Sequence, residues 1–206
     1  MNKIMKNLPQ KTALILASQS PRRVQILQQM GIACHVMPAD IDETQLLVES
    51  PTDYVLRLAA QKACFVAENC HQKRLNLSLL ELPILAADTT VALGNVIFGK
   101  PENDAEAVII LNTLSNKTHQ VHTAIALWAN GQVQLALSTT HVTMMSLTDS
   151  MIARYIATGE HRDKAGSYGI QGLAGSWVTY INGSYTGVMG LPMHETMQLL
   201  NQNGFN

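Results

Sequence analysis

The chain has 206 residues, of which 47% are hydrophobic and 14% charged, with a net charge of -1 at neutral pH. That is enough apolar material for a sizeable core and argues against disorder, while a near-neutral chain has no overall field to gather nucleic acid or an anionic membrane. Cys34, Cys64 and Cys70 are odd in number and show no C-x-x-C spacing, and no apolar run reaches the roughly 18–20 residues that span a bilayer; both point to free thiols in a cytoplasmic protein.

The first stretch carries Lys3, Lys6 and Lys11 without an apolar segment and is no signal peptide; residues 1–12 read as an N-terminal extension. Ala13 to Ala17 reads as a short buried strand. A helix follows from Ser20-Pro21 to Met30, stopped by Gly31. Pro51 to Glu68 is predicted as a second helix with Tyr54, Val55, Leu58 and Ala59 on one face. Pro83 to Ala87 is another buried strand that runs past Asp88 to Leu93, and Asp104 to Leu114 has helical periodicity. His119–Trp128 and Val133–Met145 are strand-like runs joined by Asn130-Gly131, a strong hairpin signal because both turn positions need positive φ. A helix from Asp149 to Ala157 closes at Gly159, Trp177 to Ile181 is a strand with a turn at Asn182-Gly183, and Pro192 to Asn201 is the last helix. Early alternation of helix and strand followed by a hairpin predicts an α/β fold: a mixed twisted sheet with flanking helices and two lobes around a central cleft.

Four segments carry residues whose types suggest chemistry. In L-A-S-Q-S-P-R-R, Leu16 to Arg23, Ser20 fits an N-cap whose hydroxyl accepts from a backbone N–H, and Pro21 fits the first helical position. Arg22 and Arg23 then fall in the first turn, where the helix dipole disfavours cations; a bound polyphosphate would reverse that sign, and the plain alternative is two solvated arginines. In A-A-D-T-T-V, Asp88 interrupts an apolar strand, so its carboxylate should face a cleft, pair, hold a metal or act as a base. In Gly99-Lys100-Pro101 the proline marks a turn that can project Lys100 into a cleft. The densest segment runs from Gly159-Glu160 through D-K-A-G-S-Y-G-I-Q-G, Asp163 to Gly172. Gly166, Gly169, Gly172 and Gly175 recur every third residue, which would allow close backbone approach to a ligand, and the amide of Gln171 can read a base edge. His119 and His122 point to opposite sides of a strand and are not expected to share a metal, and the ten methionines read as core filler.

Together these segments resemble the Maf family of nucleotide pyrophosphatases. The resemblance rests on L-A-S-Q-S-P-R-R, I-D-E at Ile41 to Glu43, A-A-D-T-T-V, G-K-P, T-H-Q-V at Thr118 to Val121, D-K-A-G-S-Y-G-I-Q-G, I-N-G-S-Y at Ile181 to Tyr185 and V-M-G-L-P at Val188 to Pro192, in the family's order. It implies a single Maf-like domain over residues 1–206, a Maf/ITPase-like fold and hydrolysis of nucleoside triphosphates to monophosphate and pyrophosphate with a divalent cation, Mg2+ or Mn2+. By similarity Asp88 is the proton acceptor, Arg22, Thr89 and Gln171 set substrate choice, and Ser18, Arg23, Glu43, Lys62, Lys100 and Lys164 line the cleft. The Y-G-I-Q-G tract with I-N-G-S-Y resembles the branch that cleaves dTTP and UTP. Asn116, where the family has glycine, and Met144 and Met145, at a commonly aromatic position, depart from the pattern.

The residues and the resemblance meet on one expectation. Arg22, Arg23, Lys100 and Lys164 neutralise the triphosphate, a cation sits on Glu43 or Asp88, and one of these carboxylates activates water, with Lys100 beside them at the reacting phosphates. Two alternatives stay open: a pyrophosphatase for 7-methyl-GTP or another modified nucleotide, and a nucleotide-binding regulator of cell division. The expected partner is the triphosphate, with neither nucleic acid nor membrane; a homodimer is left open.

Overall fold

The computed structural model describes residues 13–72 and 82–205; the extension expected at residues 1–12 lies outside them. Among the described residues seven strands form one mixed sheet: β1 Ala13–Leu16, β2 Ala33–Val36, β3 Ile84–Leu93, β4 Val96–Phe98, β5 Thr118–Ala129, β6 Gln132–Met144 and β7 Val178–Asn182. Their order is β2-β1-β3-β5-β6-β7, with β4 paired to β3 beside that path. The strands β1, β2 and β3 run parallel, and the remaining pairings are antiparallel. Among the described residues six α-helices accompany them: α1 Pro21–Gln29, α2 Pro51–Gln72, α3 Asp104–Leu114, α4 Asp149–Thr158, the single turn α5 Tyr185–Val188 and α6 Met193–Gln202.

The predicted turns form as their residues require. Asn130 and Gly131 both take positive φ, 53° and 75°, between β5 and β6, the geometry of a tight hairpin. Gly159 ends α4 in the left-handed region. Asn116 also adopts a left-handed φ of 56°, and asparagine tolerates that region better than other non-glycine residues. Two expectations fail. Ser20 occupies the N-cap of α1, but its hydroxyl makes no cap hydrogen bond; the neighbouring Ser18 accepts from the Ser20 N–H instead. Nor are the methionines simply core filler, because Met144 and Met189 are buried whereas Met145 and Met197 are exposed.

The period of two along β1, β3 and β5 divides the packing. Leu14, Leu16, Leu85, Ala87, Ile125 and Leu127 face α1 and α6 in one cluster. Ile15, Ala17, Ile84, Ala86, Ala124 and Ala126 face the opposite way, against Val55, Ala59, Ala63 and Val66 of α2. The small residues on both sides let α2 lie close to the sheet. A third cluster gathers Val91 and Val121 with α3, α4, Tyr168 and Trp177 at the far end of β3. Strand β3 therefore runs through both lobes, and its middle forms the waist between them.

The waist is open on one edge. β5 pairs with β3 from Ile84 to Ala92 without interruption. The other edge is held by β1 at Ile84 and Leu85 and by β4 from Val91 to Leu93. Among the described residues no strand lies beside residues 86–90 on that edge, with Asp88 at their centre, and the cleft enters there.

Candidate active site

The alternation along β3 assigns each waist residue its partner. Asp88 follows Ile84 and Ala86 toward α2; Thr89 follows Leu85 and Ala87 toward α1. On the α2 side Lys62 lies in the buried stripe of Val55, Leu58, Ala59, Ala63 and Val66, and is only 8% exposed. Its ammonium donates to Asp88 Oδ1 at 2.6 Å and contacts Glu43 Oε1, also at 2.6 Å. A cation in an apolar helical stripe has to meet counter-charges, and here one ammonium joins two carboxylates.

Glu43 comes from the segment between β2 and α2. The Tyr54 hydroxyl donates to its carbonyl at 3.0 Å. Arg57 pins the following residues through Glu49 and the Thr44 carbonyl. The phenol of Tyr54 is pushed up to about 12 by burial and by the charges of Asp88 and Glu43, so it stays a donor. The two carboxylates are driven apart. Burial raises the pKa of Asp88 above the ordinary carboxylate value, although Lys62 and Arg23 oppose it. Burial also acts upward on Glu43, but there the hydrogen bond and charge of Lys62, with Lys100 and Arg23, prevail and hold it below the ordinary value.

On the α1 side Arg23 is fixed at three nitrogens. Nε donates to the Gly190 carbonyl at 2.8 Å, one terminal nitrogen to Ser18 Oγ at 2.8 Å, and the other to Thr89 Oγ1 at 3.3 Å. Gly190 takes a φ of 107°, a region side chains rarely adopt, which places its carbonyl against the guanidinium. Arg22 lies on the wall of the same cleft, and no side-chain partner is found for it among the described residues.

The opposite wall comes from residues 159–175 and the turn after β4. Lys100 projects exposed from that turn, and Gly99 accepts from the Gly166 N–H through its carbonyl. The ammonium of Lys164 turns back onto the Glu160 carbonyl, and burial lowers its pKa. Gln171 is exposed on the wall. The glycines admit the protein's own atoms at close range, and Gly169 and Gly172 also line the cleft. A Cβ on Gly166 would stand 2.7 Å from Val91, one on Gly169 2.7 Å from the Lys164 stem, one on Gly172 2.0 Å from a Glu160 carboxylate oxygen, and one on Gly175 2.3 Å from the Ile170 carbonyl. The loop is therefore folded tightly on its own framework, with Gln171 and Lys164 among the residues that line the cleft.

The cleft is about 1020 Å³ and gathers all ten expected residues: Ser18, Arg22, Arg23, Glu43, Lys62, Asp88, Thr89, Lys100, Lys164 and Gln171. Its walls carry six cations and four carboxylates, a local positive excess on a chain with a net charge of -1. Sequence reasoning missed Tyr54, Arg162 and Gly190 on these walls. Tyr54 and Lys62 both lie on the predicted buried face of α2, a signal that the sequence contains. His119 and His122 play no part: His119 bonds the Tyr168 hydroxyl and is pushed down to about 4 by burial, hence neutral, while His122 bonds Thr139.

Among the described residues no three His, Cys, Asp or Glu side chains converge to hold a metal. Glu43 and Asp88 nevertheless each give only one oxygen to Lys62, and the second oxygen of each has no partner among the described residues. Two free carboxylate oxygens beside a polyphosphate-sized cleft fit a magnesium-type ion, which is held by one or two carboxylates together with substrate phosphates and water. No helix among the described residues is long and apolar enough to cross a membrane.

Comparison with known proteins places the chain in a family. The family described as Maf-like protein matches residues 13–203. A protein of Methylobacillus flagellatus named dTTP/UTP pyrophosphatase is 50% identical over 193 residues, 94% of each chain. Proteins of the same name from Pasteurella multocida and Colwellia psychrerythraea are 48% and 47% identical, over 92% and 99% of this chain and 94% of each relative.

Proposed function

Since the chain belongs to the Maf-like family, we propose that it hydrolyses nucleoside triphosphates, dTTP and UTP foremost, to the monophosphate and pyrophosphate. The observation that carries the proposal is the pair of carboxylates at the waist, joined by one lysine and driven to opposite pKa shifts. Such a pair divides its tasks: the group with the raised pKa accepts a proton, and the one with the lowered pKa stays ionised. Asp88 takes the proton from a water aimed at the α-phosphorus, and Glu43 remains an anion. Lys62 orients both carboxylates. Arg23, held rigidly by Gly190, Ser18 and Thr89, offers its remaining N–H groups to phosphate oxygens, and Arg22, Lys100 and Lys164 neutralise the rest of the chain. The uncapped N-terminus of α1 adds its partial positive charge beside the departing pyrophosphate.

A divalent cation, Mg2+ or Mn2+, would be held by the free oxygen of Glu43 with the phosphates, which leaves the second oxygen of Asp88 for the attacking water. It would draw negative charge off the phosphoryl group. Gln171 faces the base, where an amide can donate to a pyrimidine carbonyl and accept from the ring N–H, a pattern thymine and uracil share and cytosine does not. The test is release of pyrophosphate by the purified protein with magnesium from each common triphosphate and 7-methyl-GTP. The proposal expects dTTP and UTP to give the highest kcat/KM; preference for 7-methyl-GTP overturns the substrate assignment, and no pyrophosphate from any of them overturns the reaction.

A further inference from the structure

Thr123 on β5 lies outside the cleft, fully buried, directly across from Thr89 in the sheet. Its hydroxyl donates to the Gly187 carbonyl at 2.8 Å. A carbonyl can only accept, so that bond uses the one proton Thr123 has. The 3.0 Å contact between the two threonine hydroxyls therefore has a single direction: Thr89 donates and Thr123 accepts. Thr89 in turn has no proton left for the cleft, and its oxygen accepts from Arg23 at 3.3 Å. The bonds run one way, from the Arg23 guanidinium to Thr89, to Thr123, to the Gly187 carbonyl. The far end is itself fixed, because the Gly187 N–H donates to the capping hydroxyl of Ser184.

We infer that Thr123 is a positioning residue that sets the hydrogen-bond polarity of Thr89, making it acceptor-only toward the cleft, and through it fixes the guanidinium of Arg23. Phosphate oxygens are acceptors and gain nothing from such a hydroxyl; it serves the arginine that grips them and selects a donor group on any nucleoside that reaches it. Without Thr123 the Thr89 proton is free to turn to the cleft, and one nitrogen of Arg23 loses its fixed acceptor. The inference deepens the triphosphate reading and rests on it for its activity readout.

Thr123→Val keeps the shape and removes the hydroxyl, whereas Thr123→Ser keeps the hydroxyl. With dTTP, kcat/KM per folded molecule is expected to fall about tenfold in Thr123→Val and to stay within about twofold of wild type in Thr123→Ser, the size one hydrogen bond in a relay supports. Because Thr123 acts through Thr89, adding Thr123→Val to Thr89→Val should cause little further loss. Circular-dichroism melts of every variant ensure that only folded protein is compared. Wild-type kcat/KM in Thr123→Val, equal losses in the Val and Ser variants, or additive losses in the cycle would each overturn the inference. Titration with a non-hydrolysable dTTP analogue separates it from the proposed reaction. If wild type binds the analogue but releases no pyrophosphate from dTTP, the reaction is wrong, and the relay is still read by affinity: about tenfold weaker binding in Thr123→Val supports it, and equal binding overturns it.

Discussion

The two walls of the cleft are built differently. At the waist of β3 the charged groups are already partnered: Lys62 bridges Asp88 and Glu43, and Arg23 is held at three nitrogens. Across the cleft the backbone is tightly folded around glycines, yet Lys100 and Gln171 extend from it into the open. Arg22, one residue from the locked Arg23, belongs with these open groups. The groups proposed to do the chemistry are positioned before substrate arrives, which avoids reorganisation at the moment of reaction. The groups proposed to recognise the nucleotide keep their hydrogen-bonding capacity for it.

Substitutions on the two sides should therefore fail in different ways. The largest effect is expected at the waist: Asp88→Asn should lower kcat by roughly 10²–10⁴ with the fold retained. Pyrophosphate release alongside a circular-dichroism melt checks it, and full turnover in the variant would remove Asp88 from the mechanism. The same carboxylate sets the acid limb of the wild-type pH profile. Burial raises its pKa, so kcat/KM should climb with pH through a midpoint above the ordinary aspartate value of 3.8. Below that midpoint Asp88 is protonated and cannot accept a proton; a limb at or below that value would contradict the assignment.

On the open wall Gln171→Ala should change which triphosphate is preferred. The ratio of kcat/KM for dTTP over ATP should shrink about tenfold, because an unmatched polar edge is what rejects the wrong base. Since Gln171 has no partner among the described residues, the melting temperature should not move. An unchanged ratio would show that another group reads the base. Arg22→Ala gives the smallest effect and a sign that separates it from its neighbour. Removing a cation from the first turn of α1 should stabilise the empty protein by roughly 0.3–1 kcal/mol while raising KM, whereas Arg23→Ala breaks three hydrogen bonds and should destabilise it. Chemical denaturation of both variants decides this; a destabilised Arg22→Ala would place Arg22 with the locked groups.

Much of this arrangement was legible in the residues. The apolar runs of β1 and β3, the Asn130-Gly131 hairpin and the break at Asp88 follow from local rules, and so does the paradox of two arginines in a helical first turn. The strands β2 and β4 escaped because A-C-H-V and V-I-F are too short to show a period. The cap at Ser20 failed because that rule supplies a position, not the rotamer that nearby groups select. The self-packing of the glycines in residues 166–175 was not legible, because close approach looks the same in sequence whether the approaching atom belongs to a ligand or to Val91, Glu160 or Ile170. The role of Lys62 depends on three segments meeting, yet its position in the buried stripe of α2 was a signal that it must find carboxylates.

The central claim is that water held by Asp88 attacks the α-phosphorus and pyrophosphate leaves. Hydrolysis of dTTP in heavy-oxygen water, followed by mass spectrometry of both products, tests it directly. The account predicts the label in the nucleoside monophosphate, with unlabelled pyrophosphate. Label in the pyrophosphate would mean attack at the β-phosphorus, which would contradict the placement of Asp88 and of the cations around the leaving group.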